Sequence, residues 1–144
     1  MIGLLQRVSC ASVRVNGEVV ARIDQGLLVL VGVAREDDEA QALRLARRLL
    51  EYRVFADAAG KMNRSLLDIG GGLILVPQFT LAADTRGGTR ASFTSAAPPE
   101  RARALFEQLL GACRQSLPST QSGVFGADMK VALVNDGPVS FLLS

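Results

Sequence analysis

Leu27-Leu28-Val29-Leu30-Val31-Gly32-Val33 is the stretch on which the fold turns. It carries no polar side chain and so offers no face to water. A half-exposed strand is excluded, and a central strand buried on both faces is expected. Upstream, Ile2–Val8 is patterned as a strand, and Val13–Val15 and Val19–Ile23 flank Asn16-Gly17. That dipeptide is the strongest short hairpin signal, because a type I′ turn needs positive φ at both central residues. Downstream, Asp37–Tyr52 reads as a helix with Asp37, Asp38 and Glu39 in its first turn, where they suit the dipole. At about 100° per residue, Ala42, Leu43, Leu45, Ala46, Leu49 and Leu50 share one face. Arg44, Arg47, Arg48 and Glu51 share the other, which is either a solvated face or one turned to an RNA backbone.

The second half continues in short elements. Arg53–Ala56 is a short strand and Asp57–Asn63 a polar turn region. Leu73–Phe79 is a second apolar strand, entered through Gly70-Gly71-Gly72. No Gly-x-x-x-x-Gly-Lys-Ser/Thr pattern surrounds those glycines, so a flexible turn is expected rather than a phosphate cradle. Ala83–Ala97 is a long polar stretch around Arg86-Gly87-Gly88-Thr89-Arg90, and loops of that length are often functional. Pro98-Pro99 opens a second helix with Ala102, Leu105, Phe106, Leu109 and Cys113 as its buried stripe. After a loop over Leu117–Gly123 come a strand at Met129–Val134, a tight turn at Asn135-Asp136-Gly137-Pro138, and a closing strand at Val139–Leu143. The order is neither strict βαβ alternation nor all-β. It predicts an α+β fold of one or two mixed, largely antiparallel sheets covered by two main helices, in a single domain over residues 1–144.

Composition narrows the chemistry. The 144 residues include no histidine. Ser-His-Asp and Cys-His catalysis are therefore excluded, as is any metal site built on imidazole. Two cysteines, Cys10 and Cys113, cannot make a four-thiolate site within one chain. An enzyme of this composition must use carboxylates, hydroxyls, Lys, Cys, backbone groups or the substrate's own atoms. Arg7 interrupts the apolar opening, so the N-terminus does not read as a signal peptide, and no apolar run approaches a ~20-residue membrane span. A cytoplasmic protein with free thiols is expected. The net charge of +2 is too balanced to argue nucleic-acid binding by itself, although the basic residues are nearly all Arg, the better phosphate fork.

Two segments concentrate candidate chemistry. Pro77-Gln78-Phe79-Thr80-Leu81 places polar residues at the end of an apolar strand, where scaffolds present functional groups. Asn135-Asp136-Gly137-Pro138-Val139-Ser140 holds a Gly-Pro bond, which can be cis at modest cost. Thr80 invites a nucleophilic reading, but a hydroxyl needs an activating base and only Asp84 lies near in sequence. A positioning role is favoured. Cys10 has no visible partner to lower its pKa.

With these segments, the sequence resembles the D-aminoacyl-tRNA deacylase family nearly end to end. The resemblance rests on Ile2-Gly3-Leu4-Leu5-Gln6-Arg7-Val8, Gly60-Lys61-Met62-Asn63, Gln78-Phe79-Thr80-Leu81-Ala82-Ala83-Asp84-Thr85, Ala127-Asp128-Met129 and the Asn135–Val139 run. It implies a three-layer fold and a metal-free homodimer that hydrolyses the ester joining a D-amino acid, or glycine, to tRNA. It further implies that Gly137-Pro138 is cis and reaches into the partner's site, where its carbonyls bind the substrate α-ammonium and exclude an L side chain. Arg7 would steady that motif across the dimer. Gln78, Phe79 and Thr80 would supply the catalytic backbone, and Met129 would line the pocket of the terminal adenosine. Two positions depart from the family pattern. Pro77 stands where Ser is common, so any role of that serine cannot be carried over, and Ser140 stands where Thr is usual. The competing reading is a non-catalytic RNA-binding module that uses Arg44, Arg47 and Arg48.

Overall fold

The computed structural model describes residues 1–144. The apolar stretch forms β3 (Gly26–Gly32), with every residue but Leu30 buried. It runs between β1 (Ile2–Val15), which is antiparallel to it, and β6 (Gly72–Pro77), which is parallel. The Asn16-Gly17 hairpin joins β1 to β2 (Glu18–Ile23), with φ of 50° and 79° at its two turn residues. β7 (Gln121–Ser122) adds a short parallel strand beyond β6, and β8 (Lys130–Leu143) runs antiparallel along the other edge of β1. β4 (Phe55–Ala56) and β5 (Met62–Arg64) make a separate small ribbon.

Three layers result. Helices α1 (Glu39–Glu51) and α3 (Pro99–Ser116) cover one face of the sheet. Leu45, Leu49, Leu105 and Leu109 pack there with Leu5, Leu27, Val29, Leu73 and Leu75. The opposite side of the same strands, at Leu28, Ile74 and Val76, meets Val8, Ala11, Val13, Ala21 and Ile23. The sheet therefore folds over on itself and provides its own third layer. The Gln121 carboxamide ties the two far edges together. It donates to Arg22 O at 2.7 Å and accepts from Arg22 N at 2.8 Å, as a neighbouring strand would.

The local signals account for most boundaries. Asp38 caps α1 in a box with Gln41, so the helix starts at Glu39 rather than at Asp37. Asp37 instead lies buried, paired with the Met1 α-ammonium and accepting from Ala34 N at 2.6 Å. Leu43, expected on the buried face of that helix, is 49% exposed because it sits at the margin of the apolar arc. The α3 stripe of Ala102, Leu105, Phe106, Leu109 and Cys113 is buried throughout.

The triple glycine is a packing device rather than a flexible turn. Gly70 ends a four-residue helix, α2 (Leu66–Ile69), in the left-handed conformation. Gly72 lies in β6, where a Cβ on the facing Gly26 would come within 1.9 Å of Gly72 O. The two strands start closer together than any side chain allows.

The larger correction concerns the end of the chain. Asn135-Asp136-Gly137-Pro138 is not a hairpin turn between two paired strands. Both flanking segments pair with β1 as parts of one strand, Val8 opposite Asn135 and Gln6 opposite Ser140. One residue of β1, Arg7, thus faces the run Asp136–Val139, which bulges out of the ladder. The same turn-forming residues serve a bulge because β1, far away in sequence, holds the strand's direction on both sides.

Candidate active site

The first candidate segment grows directly from the fold. β6 ends at Pro77, where β7 no longer runs alongside, since it pairs only with Ile74 and Leu75. A residue without an N–H is accommodated there. Gln78 N donates to Val31 O at 2.8 Å, and the chain then winds into a 3-10 turn over Phe79–Ala82. That turn sits on Gly32, where a Cβ would lie 3.0 Å from Leu81 Cβ. As the first residues of the turn, Phe79 and Thr80 have backbone N–H groups with no acceptor inside it. The Gln78 side-chain amide donates to Thr80 Oγ1.

No base stands ready at the Thr80 hydroxyl. Asp84, the nearest carboxylate in sequence, is taken by Arg86. The guanidinium donates to both carboxylate oxygens, at 2.9 and 2.7 Å, and Arg86 N adds a third bond at 3.0 Å. These bonds hold the Asp84 carboxyl far below the usual carboxylate range. A carboxylate so acidic is a poor proton acceptor near neutral pH.

Beside the turn opens an apolar cavity of about 520 Å³. Phe79, Phe93 and Phe125 form its walls, with Pro77, Ala97 and Ala102 at its base and Arg35 on its rim. Phe79 and Phe93 are 60% and 45% exposed, with ring centroids 5.2 Å apart. An aromatic-walled recess of this kind suits a flat heterocycle such as a nucleobase. Phe93 and Phe125 were not singled out from sequence. The available signal was a large apolar residue, Phe93, inside the long polar loop. That loop folds back in a bridge between Asp84 and Ser92 and a second between Ala34 and Ala96, which bring Phe93 to the cavity. Met129, expected in the pocket, does not line this cavity; it packs against the layer of Leu28, Ile74 and Val76 on the side of the sheet away from the helices. Its sulfur accepts from Val124 N at 3.4 Å and fills the space left by Gly123, where a Cβ would be 2.6 Å away.

The second candidate segment is the bulge on β8. Its Gly137–Pro138 peptide bond is cis, and Gly137 has φ of 139°. Three side chains fix it. Asn135 accepts from Val139 N at 2.7 Å and donates to Ser140 Oγ at 2.9 Å. Arg7 Nε donates to Asp136 O at 2.9 Å, and Arg7 Nη1 donates to Val54 O at 2.6 Å. The Ser140 hydroxyl is thus part of this network. The Gly60–Asn63 motif is structural, since Asp57 gathers Ala59 N, Lys61 N and the Asn63 amide to close the ribbon β4–β5.

Within one chain the two segments stay apart. The bulge lies at the level of Arg7 and Leu27, while Gln78 follows Pro77, at the level of Val31. Three strand spacings and about five residues separate them, which amounts to roughly 20 Å. Pro138 and its flanks are exposed, and so is much of β8, with Val134, Phe141 and Leu142 at 55%, 37% and 67%.

Relatives define the class as proteins that remove an acyl group from tRNA. A family model described as D-Tyr-tRNA(Tyr) deacylase matches residues 4–144. A D-aminoacyl-tRNA deacylase of Stutzerimonas stutzeri is 64% identical over 99% of both chains. The protein of that name from Pseudomonas aeruginosa is 61% identical, again over 99% of both chains. Among solved structures, one titled c-Myc DNA unwinding element binding protein superposes with a TM-score of 0.95 at 35% identity, covering 100% of this chain and 98% of that one. A second, titled a probable eukaryotic D-amino acid tRNA deacylase, has a TM-score of 0.85 at 16% identity, covering 99% of this chain and 97% of that one, and it shares the fold. The chain belongs to the D-Tyr-tRNA(Tyr) deacylase family, and its three-layer α+β architecture is that of the family.

Proposed function

We propose that the protein is a chiral proofreader. It hydrolyses the ester of D-aminoacyl-tRNA, and of glycyl-tRNA mischarged on tRNA(Ala), and spares the L form. It acts in the cytoplasm as a homodimer of one-domain subunits, each spanning residues 1–144. The observation that carries this reading is the separation of the two motifs. A single ester cannot touch both the Gln78–Thr80 turn and the Gly137-Pro138 bulge of one chain, so a second copy must bring its bulge to the turn. The exposed apolar side chains of Val134, Phe141 and Leu142 flank the bulge and supply a surface such a copy would cover.

In the composite site, the partner's Gly137 and Pro138 carbonyls accept from the substrate α-ammonium. Charge assistance makes these bonds strong. With the ammonium, the ester carbonyl and the ribose fixed, an L side chain is forced into the bulge, whereas a D side chain points away and glycine has none. The carbonyl oxygen rests on the Phe79 and Thr80 N–H groups, which stabilise the charge it gains when water attacks. The Gln78 amide holds the Thr80 hydroxyl. An aminoacyl ester is already activated, and the adjacent 2′-OH of the terminal adenosine assists departure of the ribose oxygen. The adenine occupies the recess walled by Phe79 and Phe125.

Mixed dimers test this. Phe79→Pro removes one N–H at a helix-start position that tolerates proline. Gly137→Val places branched carbon against Val139, where even a Cβ comes within 2.8 Å. Each variant alone should fail to deacylate D-tyrosyl-tRNA. Refolded together they should recover about a quarter of the wild-type sites, since random pairing gives half heterodimers, each with one intact composite site. No recovery, with heterodimers verified, would refute the shared site.

A further inference from the structure

We infer that Arg103 and Arg35 form a phosphate clamp that holds the single-stranded 3′ end of the tRNA just before its last nucleotide. This deepens the reading above and rests on it. Arg103 lies on α3 with its guanidinium carbon 4.9 Å from the Phe125 ring centroid, over the wall of the aromatic recess. Arg35 lies on the rim of that recess and is tethered by Nε to Thr94 O at 3.1 Å. Both side chains are exposed, and neither is paired with a carboxylate.

Many other arginines are committed elsewhere. Arg7 is bonded to Asp136 O and Val54 O, Arg101 to Asp37 O, Arg114 to Thr120 O, and Arg48 to Ser144 O. Arg103 has no hydrogen-bond partner within the protein, so its N–H donors are uncommitted, and its guanidinium rests against the Phe125 ring. Stacking on an aromatic ring pre-orders a guanidinium without using its donors. No acidic residue lines the recess to compete for it. A nucleotide whose base enters this recess must carry its 5′ phosphodiester out across the rim. There a planar fork takes two phosphate oxygens at once. The clamp is a positioning device, since it touches phosphate rather than the ester.

The test compares two substrates, D-tyrosyl-tRNA and the D-tyrosyl ester of adenosine, which has the recess ligand and the ester but no phosphate. For Arg103→Met, KM for the tRNA ester should rise about five- to tenfold with kcat within twofold. The plot of log kcat/KM against log salt should flatten by about 0.7 per lost contact, the value for a single strand. The adenosine ester should be cleaved within twofold of wild type. Arg35→Met should raise KM for the tRNA ester in the same way, and Arg103→Lys should regain part of the loss. Uncharged tRNA should bind more weakly to both Met variants in filter assays. Equal losses on both substrates would overturn the clamp, because Arg103 would then act through Phe125. Unchanged KM and salt slope on the tRNA ester would overturn it as well. If the wild type cleaves neither ester, the deacylase reading falls and takes the clamp with it.

Discussion

Replacing Arg7 by Met separates the bulge from the body of the protein with little change in side-chain bulk. The native guanidinium bridges Asp136 O on the bulge and Val54 O, the carbonyl of a fully buried residue just before β4. Hydrogen bonds from a charged donor contribute about 1.5–3 kcal/mol each, with the exposed one at the low end. Water can replace the bond to Asp136 O but reaches Val54 O poorly. The combined loss is therefore about 3 kcal/mol, or a fall in Tm of roughly 6–12 °C for a chain of this size. The bulge itself loses the bond to Asp136 O, about 1.5–2 kcal/mol of its hold, which lowers kcat/KM for D-tyrosyl-tRNA by about 10- to 30-fold. Arg7→Lys should recover only part, since a point charge on a flexible stem cannot make both bonds. Arg64→Met is the control. Arg64 lines a separate cavity with Arg7 and Asp136, beside the bulge, and makes one exposed bond, to Asp68 O, so it should alter neither quantity appreciably. Differential scanning fluorimetry and single-turnover deacylation give the two readouts. Arg7→Met with kcat/KM within threefold of wild type would refute the reasoning.

Three further outcomes follow from the fold. Leu109→Ala, in the fully buried stripe of α3, should cost about 3–4 kcal/mol, seen as a lower urea midpoint at unchanged m; a shift below about 1 kcal/mol would show that the helix layer repacks. Asp84 has its pKa depressed by Arg86, so whatever its pairing contributes is present above the unfolded carboxylate pKa and lost only as pH falls through the lower folded value. The pH–rate profile should accordingly be the same for Asp84→Asn and wild type between pH 5 and 9 on the assay scale, and an inflection that disappears in the variant would make Asp84 a proton carrier after all. Burial pushes the Cys113 thiol up to about 12. At pH 8 it should react with a disulfide reagent only on unfolding, while exposed Cys10 is accessible in the folded chain; rapid modification of Cys113 in the native protein would contradict its packing.

Legibility from sequence followed the range over which each signal acts. β3 was readable because burial on both faces leaves a run with no polar residue. The α1 and α3 faces were readable because their period matches a helix. Asn16-Gly17 announced its own turn. The four-residue α2 and two-residue β7 were missed, since neither is long enough to show a period. β8 was misread for a different reason. Asn-Asp-Gly-Pro chemistry permits both a hairpin turn and a bulge, and the choice is made by pairing with Ile2–Val15, more than a hundred residues away. Gln78–Thr80 stood out as a candidate because an apolar strand ends there in polar residues. The walls Phe93 and Phe125, and Arg103 stacked on Phe125, come from a loop, a turn and a helix that only tertiary structure brings together.

The pairing of β1 with β8 also governs how the chain comes into being. β1 is the first strand made and β8 the last, yet they form the longest ladder in the molecule. Until Lys130 and the residues after it leave the ribosome, one edge of β1 stays unpaired, and an open strand edge recruits other chains. Messages truncated upstream of that point would yield polypeptides with intact helices and β3 but a sticky edge. They would depend on chaperones and be prone to degradation. Because this ladder joins segments more than a hundred residues apart, folding is expected to be slow for a domain of this size.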